Sequence, residues 1–122
     1  MTLSPLMDEA MRRSGVVWVC VPGHAPKVVW HVWYAGSDHV LHGGSEQEVP
    51  GLAEATAAEV TVRAKNTGAG LGTWAAEVSV VEPGSEDWSA LEPLLRKARL
   101  NAEPDPTERW RSASTLTRLT PR

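Results

Sequence analysis

The chain has 122 residues, the size of one domain, so we expect residues 1–122 to form a single domain. Its 42% hydrophobic and 22% charged residues are typical of a globular protein and exclude a disordered or repetitive chain. The net charge of −3, without a dense basic cluster, argues against nucleic-acid binding, and the single Cys20 excludes an internal disulfide and a thiolate zinc cage.

The first two predicted elements are a helix and a strand. Ser4 followed by Pro5 is typical of a helix start, and the apolar residues after it recur every three or four positions until Gly15. Residues 16–21 form an apolar, β-branched run that ends at Pro22, which predicts a short strand. The helix therefore leads directly into the first strand.

The second predicted strand, residues 27–34, is apolar on both faces. Alternation places Val28, Trp30, Val32 and Tyr34 on one face and Lys27, Val29, His31 and Trp33 on the other. In a chain of this size, such a strand needs a second surface to cover it. We expect that surface to be a helix or a second copy of the chain.

Further strands, turns and a helix follow. They are a turn at 35–38, a strand at 39–43, a brief helical turn at 46–52, strands at 58–65 and 74–80, a helix from the Ser85 cap to Asn101, a loop at 102–113 anchored by Trp110 and a last strand at 115–119. Pro93 inside the helix predicts a kink or two short segments. This order predicts a mainly β fold: six antiparallel strands closed into a barrel, with an N-terminal helix and a helix near the C-terminus.

No residue pattern identifies a catalytic centre or a metal site. His39 and His42 are three residues apart on a predicted strand, so their side chains point to opposite faces. The glycine-rich segment 68–72 precedes a strand rather than a helix, which argues against a dinucleotide fingerprint. Cys20 is interpreted as a small buried hydrophobic residue. We assign no catalytic residue and no metal ligand.

Several segments resemble one known family. They are the leading helix, VVWVCVPGHAPKVVWHVWY at 16–34, HGGSEQEVPGL at 42–52 and VTVRAKNTG at 60–68. Together they are similar to the flavin-binding split-barrel superfamily, the pyridoxamine 5′-phosphate oxidase-like proteins. The resemblance covers most of residues 5–82. It implies a split barrel, a homodimer and a flavin held in a groove between the subunits.

The resemblance also implies which residues hold the cofactor phosphate. The family uses basic side chains on the second strand and around the start of the helix after the third strand. Lys27 fits the first position, while Gly43, Gly44 and Ser45 fit a loop whose backbone N–H groups can meet a phosphate. Where relatives have Arg or Lys, this chain has Glu46-Gln47-Glu48, and carboxylates repel a phosphate.

Other residues complete the expected groove. Arg63 and Lys65 point outward from the fourth predicted strand and can compensate for the carboxylates. His31 is interpreted either as a groove side chain that contacts a ring system or as an interface histidine whose ring is satisfied. Trp30 is expected in the core and Trp33 in the groove. The full expected set is Lys27, His31, Trp33, Gly43, Gly44, Ser45, Gln47, Arg63 and Lys65.

The resemblance implies a protein that binds FMN or the deazaflavin F420 and transfers hydride or electrons. The alternative is a barrel without a cofactor that serves as a non-enzymatic ligand-binding or dimeric interaction protein, which Glu46 and Glu48 favour. We expect no membrane contact, because no run of about 18 apolar residues occurs. We expect a cytoplasmic location, because residues 1–20 lack the basic start and apolar run of a secretory signal.

Overall fold

A computed structural model describes residues 2–44, 46–63, 71–99 and 107–122. Its elements in chain order are α1 (Pro5–Arg13), β1 (Val16–Cys20), β2 (Lys27–Trp30), β3 (Val32–Tyr34), β4 (Ser37–His42), β5 (Ala57–Arg63), β6 (Leu71–Val81), α2 (Glu86–Ala98), α3 (Thr107–Ala113) and β7 (Thr115–Pro121). The predicted mainly β class is confirmed. No helix among the described residues is long and apolar enough to cross a bilayer.

The strands form one antiparallel sheet that is nearly closed into a barrel. Its order is β2-β1-β5-β6-β7-β4-β3, so the two outermost strands, β2 and β3, are consecutive in the chain. The single strand predicted at 27–34 breaks at His31: its first half pairs with β1 and its second half with β4. This break accounts for seven strands where the sequence predicts six. A strand that joins both edges of a sheet has to bend where it changes partner.

Residues that face into the barrel form its main core. Alternation in β5 buries the apolar residues and leaves Glu59 and Arg63 exposed, as the sequence predicts. Helix α1 begins at the predicted cap, where the Ser4 hydroxyl accepts a hydrogen bond from Met7 N at 3.2 Å. The helix places the fully buried Met11 in this core.

Helices α2 and α3 cover one part of the outside of the barrel. The covered face is the set of outward residues Val32, Leu41, Val81 and Leu116, which form a buried cluster with Trp88, Leu91, Leu95 and Trp110 of the two helices. Helix α3 lies where the sequence predicts a loop. The predicted anchoring role of Trp110 is confirmed, because this residue is fully buried, and the helix is the structure that places it there.

Helix α2 starts at the predicted Ser85 cap, whose side chain accepts a hydrogen bond from Trp88 N at 3.1 Å. It continues through Pro93 as one helix, so of the two predicted alternatives, a kink or two short segments, the second is wrong. Leu91 and Leu95 are both fully buried, and their packing on either side of the proline holds the helix together. The predicted end at Asn101 lies outside the described residues.

The remaining outer surface is not covered in this way. The bare face is the set of outward residues Val16, Trp18, Val28, Thr61 and Thr73 of β1, β2, β5 and β6. Val28 is 56% exposed and Val16 45%, whereas no member of the covered face exceeds 8%. The barrel therefore has one outer side that the described chain covers and one that it does not.

A tight turn, Ala35-Gly36, joins β3 to β4. Both residues have positive φ, 53° and 78°, as a two-residue hairpin turn requires. Strand β4 therefore starts at Ser37, and Asp38, which the sequence assigns to a turn, belongs to the strand. The segment after β4 contains turns instead of the helical turn predicted at 46–52.

Candidate cofactor groove

The bare face presents adjoining apolar side chains on neighbouring strands. Cross-strand pairing places Val28 opposite Trp18, and Trp18 opposite Thr61. Val16 and Trp30 are opposite each other in a nearby row. Because directly paired residues share one face of a sheet, these side chains form a single surface. A flat ring or a second sheet can pack against such a surface.

The two expected cations that the structure describes do not converge within one chain. Lys27 is the cross-strand partner of the inward-facing Val19, so it lies on the inner side of the sheet, where it is exposed at the start of β2. Arg63 is exposed on the outward side of β5. Paired positions share a face and alternate positions oppose it, so the two side chains leave opposite faces. Ser45 and Lys65 lie outside the described residues.

In the segment 43–47, which we call the glycine loop, two backbone donors, those of Gly43 and Glu46, bind within the chain. Gly43 N donates to Gln47 O at 2.9 Å, and Glu46 N donates to Gly43 O at 3.0 Å. The first is one of the N–H groups that the resemblance assigns to a phosphate, and the second belongs to the adjoining Glu46. They are not available to a ligand in this arrangement, and the helix start that would strengthen an anion site is not formed.

The end of α3 and the start of β7 pack against the same loop. Ser114 Oγ donates to Gly43 O at 2.9 Å. A Cβ atom added to Gly44, whose φ is +63°, would lie 2.9 Å from the backbone oxygen of Ala113. The glycine is therefore required by a positive φ and by a close approach of the chain itself. The space beside it is filled by protein.

Gln47 contacts the protein backbone and not a groove. Its Nε2 donates to Trp30 O at 2.9 Å and to Leu41 O at 3.1 Å, while its Oε1 accepts from Trp30 N at 3.0 Å. All three bonds lie next to the point where β2 ends. Gln47 therefore connects β2 to β4 across the opening of the barrel, and its amide is fully used in doing so.

Glu46 is buried, with 9% of its surface exposed. Its Oε2 accepts a hydrogen bond from Trp110 Nε1 at 3.0 Å, and its Oε1 lies 2.6 Å from Arg99 Nε. The sequence suggests a carboxylate that repels a cofactor phosphate. In the structure this carboxylate is neutralised by a cation of the same chain and stabilises the packing of α3.

His31 lies at the break between β2 and β3 and is buried. Its Nε2 is 2.7 Å from Ser14 O, and its Nδ1 is 2.5 Å from Asp38 Oδ1. A carbonyl oxygen only accepts, so Nε2 carries a hydrogen and donates it to Ser14. The second contact then requires one further proton, which Nδ1 and Oδ1 share. The ring is satisfied on both sides within the chain, as the second interpretation expects of it, while a place at an interface stays a prediction.

Burial and the short contact both affect the pKa values of this pair. Burial lowers the pKa of His31, but the hydrogen bond and the charge of Asp38 outweigh it and hold the pKa above the usual 6.5. Burial raises the pKa of Asp38 above 3.8, and its hydrogen bond with His31 only partly opposes the rise. Each direction indicates that the pair retains its shared proton.

Asp38 is the partner that sequence reasoning missed, because a turn was predicted at this position. Alternation puts Asp38 on the same face of β4 as Val40, which is in the barrel core, but the sequence carries no further signal because both faces of this strand are buried. Among the described residues, Asp38 Oδ2 has no hydrogen-bond partner. The His31–Asp38 pair connects the end of α1 with both strands at the barrel opening.

Trp33 and Trp30 lie on opposite faces of the sheet, as predicted. The Trp33 ring packs edge-to-face on Trp74 with centroids 6.0 Å apart, and its Nε1 donates to Asp8 Oδ1 of α1 at 3.0 Å. Trp33 thus attaches α1 to the barrel core rather than forming a groove wall. Trp30 is half-buried and packs against the cluster under α2, outside the barrel.

The other two strand histidines also have internal partners. His39 Nδ1 is 3.2 Å from Val32 O, so it carries the hydrogen, and Nε2 accepts from Arg118 Nε at 3.3 Å. Burial lowers the pKa of His39 to about 4. His42 Nε2 lies 2.7 Å from Thr117 Oγ1 on the inner side. In the described part of the chain, no three His, Cys, Asp or Glu side chains converge as a metal site does.

Solved structures match nearly the whole chain. HutZ, the haem storage protein from Vibrio cholerae, has a TM-score of 0.67 at 18% identity, covering 100% of this chain and 92% of its own. An F420 reductase has a TM-score of 0.64 at 13% identity, with coverage of 94% and 92%. A FAD-binding protein from Mesorhizobium loti has a TM-score of 0.58 at 14% identity, with coverage of 100% and 92%. No protein-family model and no curated protein matches the sequence.

These similarities decide the fold. The chain has the fold of these solved structures, a split β-barrel. The residues of this split barrel fit one part of a flavin and not another. A planar ring matches the apolar bare face, whereas a phosphate does not fit the glycine loop, which Glu46 and Gln47 close. The candidate surface for a ring is therefore the bare face, and the loop expected to hold a phosphate is not part of it.

Proposed function

We propose that this split-barrel protein is a homodimer whose copies contact each other through the bare face. The single observation that carries the proposal is the exposure of Val28 and Val16, at 56% and 45%, on a sheet whose other outer side is covered. Monomeric proteins rarely leave a continuous apolar sheet surface open to water. A two-fold interface uses the same patch on both copies and so covers both at once.

We propose further that a flavin-type cofactor, FMN or the deazaflavin F420, lies in the cleft at the edge of this dimer. In support, two similar structures are described as a FAD-binding protein and an F420 reductase. Trp18 offers the ring an aromatic surface on the bare face, and Arg63 lies on the same outward side of the sheet. When bound, such a cofactor supplies hydride or electron transfer, while the chain orients the ring and excludes water from it. The protein is then an oxidoreductase.

A second candidate is a split-barrel dimer that binds no cofactor and acts through protein interaction. The observation that favours it is the closed glycine loop, where Gln47 makes three hydrogen bonds to backbone atoms and Glu46 is paired with Arg99. Both candidates require the dimer. They differ in whether the cleft holds a ring.

One purification distinguishes the candidates. The protein is purified without added cofactor, its visible spectrum is recorded, and it is then titrated with FMN and with F420. The leading proposal expects a yellow protein or saturable uptake of one cofactor per chain, together with sedimentation at twice the 13.2 kDa chain mass. A colourless dimer that takes up neither cofactor would support the second candidate. A monomer at micromolar concentration would contradict both.

A further inference from the structure

The Glu46 carboxylate is bound in the way that proteins bind anions. One oxygen accepts from the indole Nε1 of Trp110 at 3.0 Å, and the other lies 2.6 Å from the guanidinium Nε of Arg99. The Glu46 side chain is only 3% exposed. A guanidinium group and a neutral N–H donor around one buried anionic group form a built anion position.

The backbone holds this carboxylate in place from its other end. Glu46 N donates to Gly43 O at 3.0 Å, and Ser114 Oγ donates to the same oxygen at 2.9 Å. Releasing the side chain to solvent would leave the buried Nε1–H of Trp110 without an acceptor. A buried donor left unpaired is unfavourable, so an incoming anion has to replace a carboxylate held by one hydrogen bond from Trp110 and by the charge of Arg99.

We infer that Glu46 is the resident anion of the glycine loop, and that the ligand of the proposed groove is recognised by its ring and gains no affinity from a phosphate. This rests on the proposed function, because it concerns the ligand class of that same groove. It follows from two observations: the charge position is occupied by the chain's own carboxylate, and two backbone donors of the loop are used internally. The ligand class is therefore a planar flavin-type ring, with or without a phosphate.

The test compares two ligands that differ by one phosphate. Riboflavin and FMN are titrated into the purified protein by calorimetry at one ionic strength. We expect their Kd values to agree within about threefold, whereas a phosphate held by charged and backbone donors gives a preference of at least about thirtyfold. A strong preference for FMN would overturn the inference and leave the proposed function standing.

If neither flavin binds and F420 does not bind either, the proposed cofactor fails, and the inference is decided by a second measurement. Inorganic phosphate is titrated while the indole N–H resonance of Trp110, assigned with Trp110→Phe, is followed by NMR. A resonance that does not move supports a loop already filled by Glu46. A saturable shift shows that phosphate enters the loop, and it overturns the inference.

A matched pair of variants locates the effect. Glu46→Ser empties the anion position and leaves Trp110 and Arg99 facing it, while Glu48→Ser removes the same charge from an exposed neighbour. We expect FMN to gain about tenfold over riboflavin in the first variant and nothing in the second. An equal change in both would show a general charge effect and contradict the assignment to Glu46. If circular dichroism shows that Glu46→Ser is unfolded, the wild-type comparison of the two flavins decides.

Discussion

The covered face and the bare face are two sides of one barrel, and both present apolar residues outward. On the covered face Leu41 and Leu116 are completely buried, because α2 and α3 pack on them. On the bare face Val28 is 56% exposed. The difference comes from where the helices lie, since both faces alternate in the same way. An outward apolar residue therefore indicates a binding partner only where none of the chain's own helices covers it.

The two faces meet at the break between β2 and β3, and we expect the largest effect there. Asp38→Ala removes the acceptor of the buried His31 ring, and breaking a buried pair in this way costs about 3–5 kcal/mol. The free energy of unfolding in urea measures it. Asp87→Ala is the control: its side chain is 62% exposed in an ion pair with Arg118, so it should cost no more than about 1 kcal/mol. Equal losses of unfolding free energy in the two variants would contradict a buried His31–Asp38 pair.

The next largest effect on stability is expected where α2 packs on the covered face. Leu91 is fully buried between α2 and the barrel, so Leu91→Ala should lower the free energy of unfolding by about 3 kcal/mol. Leu94 on the same helix is only partly buried, and Leu94→Ala should cost clearly less. Urea unfolding of the two variants provides the measurement. Similar losses would mean that α2 does not pack on the covered face as described.

The covered side also makes stability depend on pH through His39. Its pKa is about 4 in the folded chain and 6.5 when unfolded, so below pH 6.5 the unfolded chain binds a proton that the folded chain does not. The contribution of His39 therefore falls as the pH falls from 6.5 towards 4, by up to about 3 kcal/mol.

The variant His39→Gln isolates this contribution. Urea unfolding of both proteins at pH 7, 5.5 and 4.5 should show a steeper loss in the wild type. The raised pKa of His31 acts in the opposite direction, since its stabilisation is present below pH 6.5 and is lost as the pH rises through the higher folded value. This contribution of His31 is the same in the wild type and in His39→Gln, so it cancels when the two are compared. Parallel pH profiles would contradict a buried neutral His39.

The smallest effect on unfolding is expected on the bare face. Val28→Lys should change the stability of the separate chain by no more than about 0.5 kcal/mol, because the residue is 56% exposed. It should nevertheless convert the proposed dimer to a monomer in sedimentation, since a charge would be buried in the interface. Leu6→Lys, at a residue 43% exposed on α1, should leave the dimer intact. If both variants remain dimeric, the interface does not include Val28.

Local patterns in the sequence predicted most of the fold. The Ser4 and Ser85 caps and the alternation in β5 depend on neighbouring residues, and the structure confirms them. Helix α3 was missed because its position depends on the burial of Trp110 against distant strands. The strand break at His31 was missed because residues on both sides of it favour β structure, and only the pairing partners change.

The candidate site was less predictable than the fold. Lys27 and Arg63 are exposed as expected, but pairing places them on opposite faces. Gln47 and His31 were expected in a groove and instead bind the chain itself. Their partners include Trp30 and Ser14, each 17 residues away. No local pattern contains such a contact.

The sequence by itself determined that the chain is a small antiparallel β protein and which residues of most strands point together, because alternation and capping are short-range effects. Only the tertiary structure decided which outer face is covered and that Glu46 faces Trp110, 64 residues away. The physical reason is that a polar group is satisfied by whatever the completed fold brings within hydrogen-bond distance, and a barrel brings together residues that are far apart in the chain.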